Sequence, residues 1–201
     1  MTTPTIEDFL VAGRECGECT VCCISLTINT PEIVKLPNVP CENLTASGGC
    51  GIYNSRPDIC GKMFCAWRSI ADLGDEWRPD KMGVLLEYSE ENFPGEFAGK
   101  IGFRITILDK EKVINNNAVA AFVAYQVANG TPCIISYGIE PSELLSTGFL
   151  NYALGNAVRE NRVNAIHNEI KNAIEACEKQ PKYYLKIEDG KLVEYPSSQD
   201  N

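Results

Sequence analysis

The sequence predicts an α+β fold in which a cysteine-rich, metal-organised N-terminal half joins a mixed sheet with two or more helices. Three observations carry this prediction. Eight of the ten cysteines fall between positions 16 and 65, apolar residues after position 80 recur at strand and helix periods, and a two-residue hairpin signal lies near the C-terminus. We expect a cysteine-rich metal-binding region at residues 1–80 and an α+β region at 81–201, packed against each other as one continuous globular unit.

Sustained periodicity is weak before residue 80, as expected of a segment that folds around something other than an apolar core. Two short elements are nevertheless predicted there. SLTIN (25–29) alternates as a strand does. TPEIV (30–34) resembles the start of a helix, with Thr30 as the cap and proline in the first turn.

After residue 80 the signals are those of an ordinary α+β region. Strands are indicated by alternation of apolar and polar residues, and helices by apolar runs that end in Asn-Gly. The predicted elements are a strand in KMGVLLEYSE (81–90), a strand in KIGFRITILD (100–109), a helix at 113–128 and a buried strand in TPCIISYG (131–138).

The pattern from Pro141 to about Gln180 predicts helical structure. Ser142 is suited to cap the first helix, with Glu143 in its first turn. YYLKIEDGKLVEY (183–195) places Asp-Gly between two alternating runs, which is typical of a tight hairpin. One apolar helix stripe is formed by Val163, Ile166, Ile170, Ile174 and Cys177.

Charge and hydropathy exclude several classes of partner. The formal charge is −9, from 18 Lys and Arg against 27 Asp and Glu, and no basic cluster is present. Binding to a nucleic-acid backbone needs such a cluster. There is no apolar run of about 18 residues, so no membrane span is expected. The start, MTTPTIEDFLVAGREC, has no secretory-signal pattern. We expect a cytoplasmic protein with no nucleic-acid or membrane partner, and another protein is the partner class left open.

The octet CGECTVCC (16–23) packs four thiols into eight residues. In a reducing compartment, clustered thiols are kept mainly as metal ligands or redox catalysts. A two-residue gap between cysteines lets one turn aim two sulfurs at one ion. Adjacent side chains such as Cys22 and Cys23 point in different directions. These two cysteines are therefore predicted to serve two ions, unless one of them bridges a pair.

The remaining thiols of this region lie farther along the chain, and three of them stand beside proline or glycine, where turns can present sulfur to a metal. Eight thiolates suffice for two four-cysteine sites, and all-sulfur sites suit zinc, iron–sulfur clusters and cuprous ion. Two such zinc sites would add four negative charges to an acidic segment, and Arg56 is the predicted compensating cation. These later thiols are Cys41, Cys50, Cys60 and Cys65.

CGECTVCC, PCENL and GCGIYNSRPDICGKMFC together resemble the CxxCxxCC family of zinc- or iron-chelating domains, which is widespread in bacteria. The resemblance covers roughly residues 16–68, about a quarter of the chain. It implies metal chelation, with Tyr53, Arg56 and Pro57 as framework around the ligands, and it implies no particular reaction. The ligands that it implies are Cys16, Cys19, Cys22, Cys23, Cys41, Cys50, Cys60 and Cys65.

Our first expectation is a metal-binding protein with about two zinc ions, used for structure or for metal handling. The alternative is an iron–sulfur protein or enzyme with redox or protein-modification chemistry, because related cysteine-rich segments are similar to part of flagellin lysine methylases. No catalytic triad or nucleotide-binding motif can be assembled, so enzymatic activity is left open. Cys133 and Cys177 are expected to be buried as small hydrophobic residues, and His167 to lie at the border of its helix stripe.

Overall fold

The computed structural model describes residues 9–197, and these form two compact units. The first unit takes in residues 9–82, 140–143 and 183–197, and the second takes in residues 83–139 and 144–182. The α+β class predicted from the sequence is confirmed, since helices accompany a mixed four-stranded sheet. In this part of the chain, no helix is long and apolar enough to span a bilayer.

The elements follow one another along the chain with short connections. In order they are α1 (Val21–Ser25), β1 (Ile28–Asn29), β2 (Val34–Lys35), α2 (Asp58–Lys62), α3 (Pro79–Met82), β3 (Val84–Ser89), β4 (Gly102–Ile107), α4 (Lys110–Val113), α5 (Asn117–Ala128), β5 (Cys133–Tyr137), β6 (Ser146–Phe149), α6 (Leu150–Arg159), α7 (Val163–Lys179), β7 (Tyr183–Glu188) and β8 (Lys191–Pro196).

The first unit is built from short elements and turns. Strands β1 and β2 pair over two residues each, and β7 and β8 form the predicted hairpin. Asp189 and Gly190 both have positive φ angles, 50° and 74°, as the tight two-residue turn requires. The helix predicted to start at Thr30 is wrong. The Thr30 N–H donates to Ile33 O at 3.0 Å and the Ile33 N–H to the Thr30 hydroxyl at 3.2 Å, so these residues form the turn between β1 and β2.

Arg14 ties the start of the first unit to its buried part. Its guanidinium donates to the carbonyl oxygens of Ile70 at 2.8 Å and Ala71 at 3.0 Å, and also to those of Trp67 and Leu73. The same group lies over the Trp67 ring, 5.4 Å from its centroid. Hydrogen bonds from a charged donor are stronger than those between neutral groups. The stretch that leads to Cys16 is thereby held against residues 67–73.

The second unit is a sheet with strand order β3-β4-β5-β6, in which only β4 and β5 are parallel. Helices α4 and α5 make the crossover between these two strands. The strands predicted in 81–90, 100–109 and 131–138 and the helix predicted in 113–128 are confirmed, although that helix begins at Asn117. Cys133 and Cys177 are fully buried, as expected.

The predicted helix start at Ser142 and Glu143 is wrong. Ser142 has a φ of 67°, whereas a capping residue is normally in the β region. The buried Glu143 carboxylate accepts the Glu140 N–H at 3.0 Å, which closes a turn. The next four residues form β6, in which Gly148 lies directly against Ile135 on β5. Helical structure starts only at α6, and the later stripe is buried from Ile166 onward.

One face of this sheet carries charged and polar residues. Glu87 pairs across the strands with Arg104, and Thr106 pairs with Ser136. Arg104 Nη1 donates to Ser136 Oγ at 2.9 Å, and Nη2 forms an ion pair with Glu91. Among the residues described, Glu87 Oε2 and the nearby Thr106 hydroxyl are buried without a well-aligned partner. Burial raises the pKa of Glu87 to about 7, although the Arg104 charge and the Thr106 hydroxyl oppose this.

Glu87→Gln is expected to stabilise the protein above neutral pH and to have little effect in acid. Because the folded state binds the Glu87 proton more tightly than the unfolded state does, ionisation of this carboxyl opposes folding. The penalty is absent below about pH 4 and complete above about pH 7 to 8. We expect the variant to gain about 2 kcal/mol in the free energy of unfolding at about pH 8, measured by urea denaturation. Glu111→Gln, at an exposed position, is the control. An equal gain for Glu87→Gln at both pH values would contradict the assignment.

Candidate metal centre

The eight cysteines of the N-terminal region all belong to the first unit and are all partly exposed. Every cysteine of the chain is a free thiol, and no disulfide is formed in residues 9–197. As the side chains stand in this part of the chain, no three His, Cys, Asp or Glu groups converge closely enough to enclose a metal ion. The grouping of the thiols therefore has to be judged from the backbone and from their mutual electrostatics.

The motif CGECTVCC folds into a turn followed by a short helix. The Cys19 N–H donates to Cys16 O at 2.9 Å, which closes the turn. Cys22 and Cys23 both lie on α1, so their side chains leave the helix about 100° apart. The two thiols still touch through a hydrogen bond, which raises the pKa of Cys22 and lowers the pKa of Cys23.

Later segments bring the other thiols to the same unit. The Cys41 N–H donates to Cys23 O at 2.9 Å, which fixes the chain beside α1. A β-bridge joins Cys50 to Leu44. The Gly48-Gly49 turn that precedes Cys50 has φ angles of 85° and 81°, which glycine adopts without strain. Cys60 lies on α2, and Cys65 immediately precedes a buried 3-10 turn at 66–68.

Electrostatic interactions divide the eight thiols into two groups. Burial raises the pKa of Cys65 to about 11, and the charges of Cys16 and Cys19 raise it as well. These two also raise the pKa of Cys22, after the larger effects of the Cys23 hydrogen bond and burial. For Cys60, burial acts first and is followed by the charges of a different set of cysteines. The first quartet is Cys16, Cys19, Cys22 and Cys65, and the second quartet is Cys23, Cys41, Cys50 and Cys60.

Arg68 is the cationic contact of the first quartet. It is 8% exposed, and its Nη1 donates to Cys16 Sγ at 3.4 Å. Its backbone N–H forms a hydrogen bond with the Cys65 sulfur that partly offsets the burial of this thiol. Arg68 Nε is buried and has no hydrogen-bond partner among the residues described. A thiolate sulfur nearby would be an acceptor for this donor.

Cys19 has a separate set of contacts. Burial raises its pKa, and backbone hydrogen bonds from Val21 and Asp80 oppose that rise. The Asp80 carboxylate is itself held by Arg78 through two hydrogen bonds of 2.7 and 2.8 Å. The negative charge of Asp80 is therefore largely neutralised beside this thiol.

Lys35 and Arg56 are the cations nearest to the second quartet. Lys35 is 5% exposed, and its ammonium group donates to three backbone carbonyl oxygens at 2.7, 2.7 and 2.9 Å. Burial lowers its pKa to about 8, and the charges of Cys41, Cys23 and Cys22 raise it again. The Arg56 guanidinium stacks over the Tyr53 ring at 4.1 Å, and its charge lowers the pKa of Cys23.

These residues fit a thiolate metal centre in their chemistry. Eight sulfurs in two groups of four match the donor number of two tetrahedral ions. The unpartnered Arg68 Nε and the buried Lys35 ammonium are groups that anionic sulfur would stabilise. Each thiol has a single side-chain torsion through which its sulfur can turn toward a common centre.

Sequence reasoning selected Arg56 and Tyr53, which do contact each other, and it missed other neighbours of the thiols. A usable signal was present. Residues 1–80 contain only six Lys and Arg, so any basic residue there is a candidate counter-charge. The neighbours missed are Lys35, Asn43, Arg68, Arg78 and Asp80.

No protein-family model, no curated protein and no solved structure matches the chain. The resemblance to the CxxCxxCC family therefore stays a prediction that rests on the motif residues.

Proposed function

We propose that the protein binds two metal ions through eight thiolates, with zinc as the metal, and that the ions serve to organise the first unit or are handled as cargo. One observation carries the proposal. Eight cysteines that are dispersed over fifty residues form two groups of four within one compact unit. Two-residue cysteine spacings and convergent thiols are the usual composition of structural zinc sites.

The charges around the thiols support the same proposal. Each zinc ion with four thiolates has a formal charge of −2, so two sites leave four negative charges to be stabilised. Of the six basic residues in positions 1–80, four interact electrostatically with cysteines of the quartets. A set of neutral thiols would gain nothing from such cations. The four are Lys35, Arg56, Arg68 and Arg78.

An iron–sulfur centre is the second candidate, and the contacts of the first quartet favour it specifically. Hydrogen bonds from Arg68 and from backbone N–H groups reach the sulfurs of Cys16, Cys19 and Cys65. Such hydrogen bonds are among the factors that set the reduction potential of cysteine-ligated clusters. In this version the protein would carry out redox or protein-modification chemistry of the methylase-related kind.

We also propose a cytoplasmic location, because clustered free thiols are maintained in reducing compartments. The acidic charge of −9 argues against nucleic acid and anionic membranes as partners. Another protein is the partner class that remains.

Elemental analysis and an absorption spectrum of anaerobically purified full-length protein test the proposal. We expect about two zinc ions per chain and no visible absorption, since zinc has a filled d shell. Cys50→Ser should lower the zinc content to about one ion, and Cys133→Ser, outside the quartets, should leave it unchanged. Iron together with visible absorption that bleaches on reduction would establish the second candidate. Folded protein that contains neither metal and takes up neither would end both.

A further inference from the structure

The segments that present the two quartets differ in how they are held. Cys65 directly precedes Ala66 and Trp67, which are 0% and 5% exposed. The chain before Cys16 is joined to the same buried stretch, because the Val11 N–H donates to Arg68 O at 2.8 Å and Arg14 binds the carbonyl oxygens of residues 67–73. The first quartet is therefore anchored to packed structure on both sides.

The segment that supplies most of the second quartet has no such anchor. No residue from position 41 to position 65 is buried. Tyr53 and Ile59, which flank the turn into α2, are 43% and 42% exposed. The hydrogen bonds that hold this segment are short-range ones, such as that from the Gly51 N–H to Asn43 O at 2.8 Å. Cys60 is also less deeply buried than Cys65.

Hydrogen bonds to sulfur show the same difference. In the first quartet, Cys16 accepts from Arg68 at 3.4 Å, and Cys19 and Cys65 accept from backbone N–H groups. In the second quartet, the direct donor to sulfur among the described residues is the Asn43 amide, at 3.9 Å from Cys41 Sγ. Donors aimed at a thiolate stabilise it as a metal ligand and disfavour its release.

From these differences we infer that the two ions exchange at different rates. The ion of the first quartet is structural, and the ion of the second quartet is the one that is loaded and given up. This inference rests on the proposed function. The exchange is a substitution without electron transfer: each metal–sulfur bond that breaks is replaced by a bond to the incoming ligand, and the freed thiolate takes up a proton from water.

Zinc release to the chelator 4-(2-pyridylazo)resorcinol, followed by absorbance on the full-length zinc-loaded protein, tests the inference. We expect two phases of about one ion each, with rates that differ by about tenfold or more, equivalent to about 1.4 kcal/mol in the barrier. After the first phase, alkylation with N-ethylmaleimide and mass spectrometry should find Cys41, Cys50 and Cys60 modified, with Cys16 and Cys65 protected.

Variants and the starting metal content separate the possible failures. Cys50→Ser should abolish the fast phase and keep the slow one, whereas Cys133→Ser should keep both. Two ions that leave in a single phase, or early modification of Cys16 and Cys65, would overturn the inference and leave the proposed function standing. A protein that binds no metal before the chelator is added would overturn both. Because the alkylation map uses the native sequence, it decides between these outcomes even where a variant fails to fold.

Discussion

Removal of the bound ions is expected to unfold residues 16–65 and to leave the sheet of the second unit folded. No residue from 41 to 65 is buried, and the strands of this region are two residues long. Structural zinc contributes on the order of 10–16 kcal/mol in small peptide sites, which exceeds the roughly 5–15 kcal/mol net stability of a typical domain. The second unit has its own apolar core, in which Ile105, Ile135 and Leu154 are 2%, 1% and 0% exposed.

Hydrogen exchange monitored by mass spectrometry, with and without chelation, measures this effect by segment. Protection in peptides from 16–65 should fall by about a thousandfold or more, since a loss of about 4 kcal/mol in local stability suffices for that change. Peptides from β4 and β5 serve as the internal control and should keep their protection. Restored protection after zinc is added back would show that the loss was reversible. Unchanged exchange in 16–65 of fully metal-free protein would contradict a structural role for the ions.

Elements that are encoded locally could be predicted from the sequence. The β7-β8 hairpin is specified by Asp189 and Gly190, whose positive φ angles are required by the turn itself. Strands β3 and β4 alternate over six residues each, and helix α5 ends beside an Asn-Gly pair. In each case the signal and the structure lie within a few residues of each other.

Elements whose hydrogen bonds are made to distant segments were not predictable. Ser142 resembles a helix cap, yet its N–H donates to Pro37 O at 2.8 Å and its carbonyl oxygen accepts from the Leu185 N–H at 2.8 Å. These contacts hold residues 140–143 in the first unit, apart from the strand and helices that follow. Nothing in the local sequence indicates where those partners lie.

The candidate centre shows the same division between local and distant information. Cysteine spacing identifies the thiols and separates Cys22 from Cys23, because the direction of adjacent side chains is a local property. The cations beside the thiols depend on long-range folding. Lys35 precedes Cys41 by six residues in a stretch with no motif, and Arg68 lies 52 residues from Cys16. Electrostatic partners of a site therefore have to be read from the structure.

Lys35→Met is expected to destabilise the metal-loaded protein by about 3 kcal/mol and to weaken binding of the second ion. Methionine preserves most of the volume of lysine, but it leaves the carbonyl oxygens of Ile24, Leu26 and Leu36 without the donor that they share. Two of those carbonyls belong to the end of α1 and the residue after it, so the helix that carries Cys22 and Cys23 loses its anchor. The positive charge that faces the thiolates is lost at the same time.

Guanidinium denaturation of the zinc-loaded protein and zinc competition with a chelator measure the two effects of this substitution. Lys171→Met is the matched control, because Lys171 is 51% exposed and its contact with Glu175 is a 3.8 Å surface pair. Such pairs contribute about 0.5 kcal/mol or less. Equal midpoints for the two variants would mean that the buried ammonium does not hold α1. A lower midpoint for Lys35→Met with unchanged zinc affinity would mean that it holds the helix without stabilising the thiolates. Only the loss of both would support Lys35 as the residue that couples the folding of α1 to the charge of the second quartet.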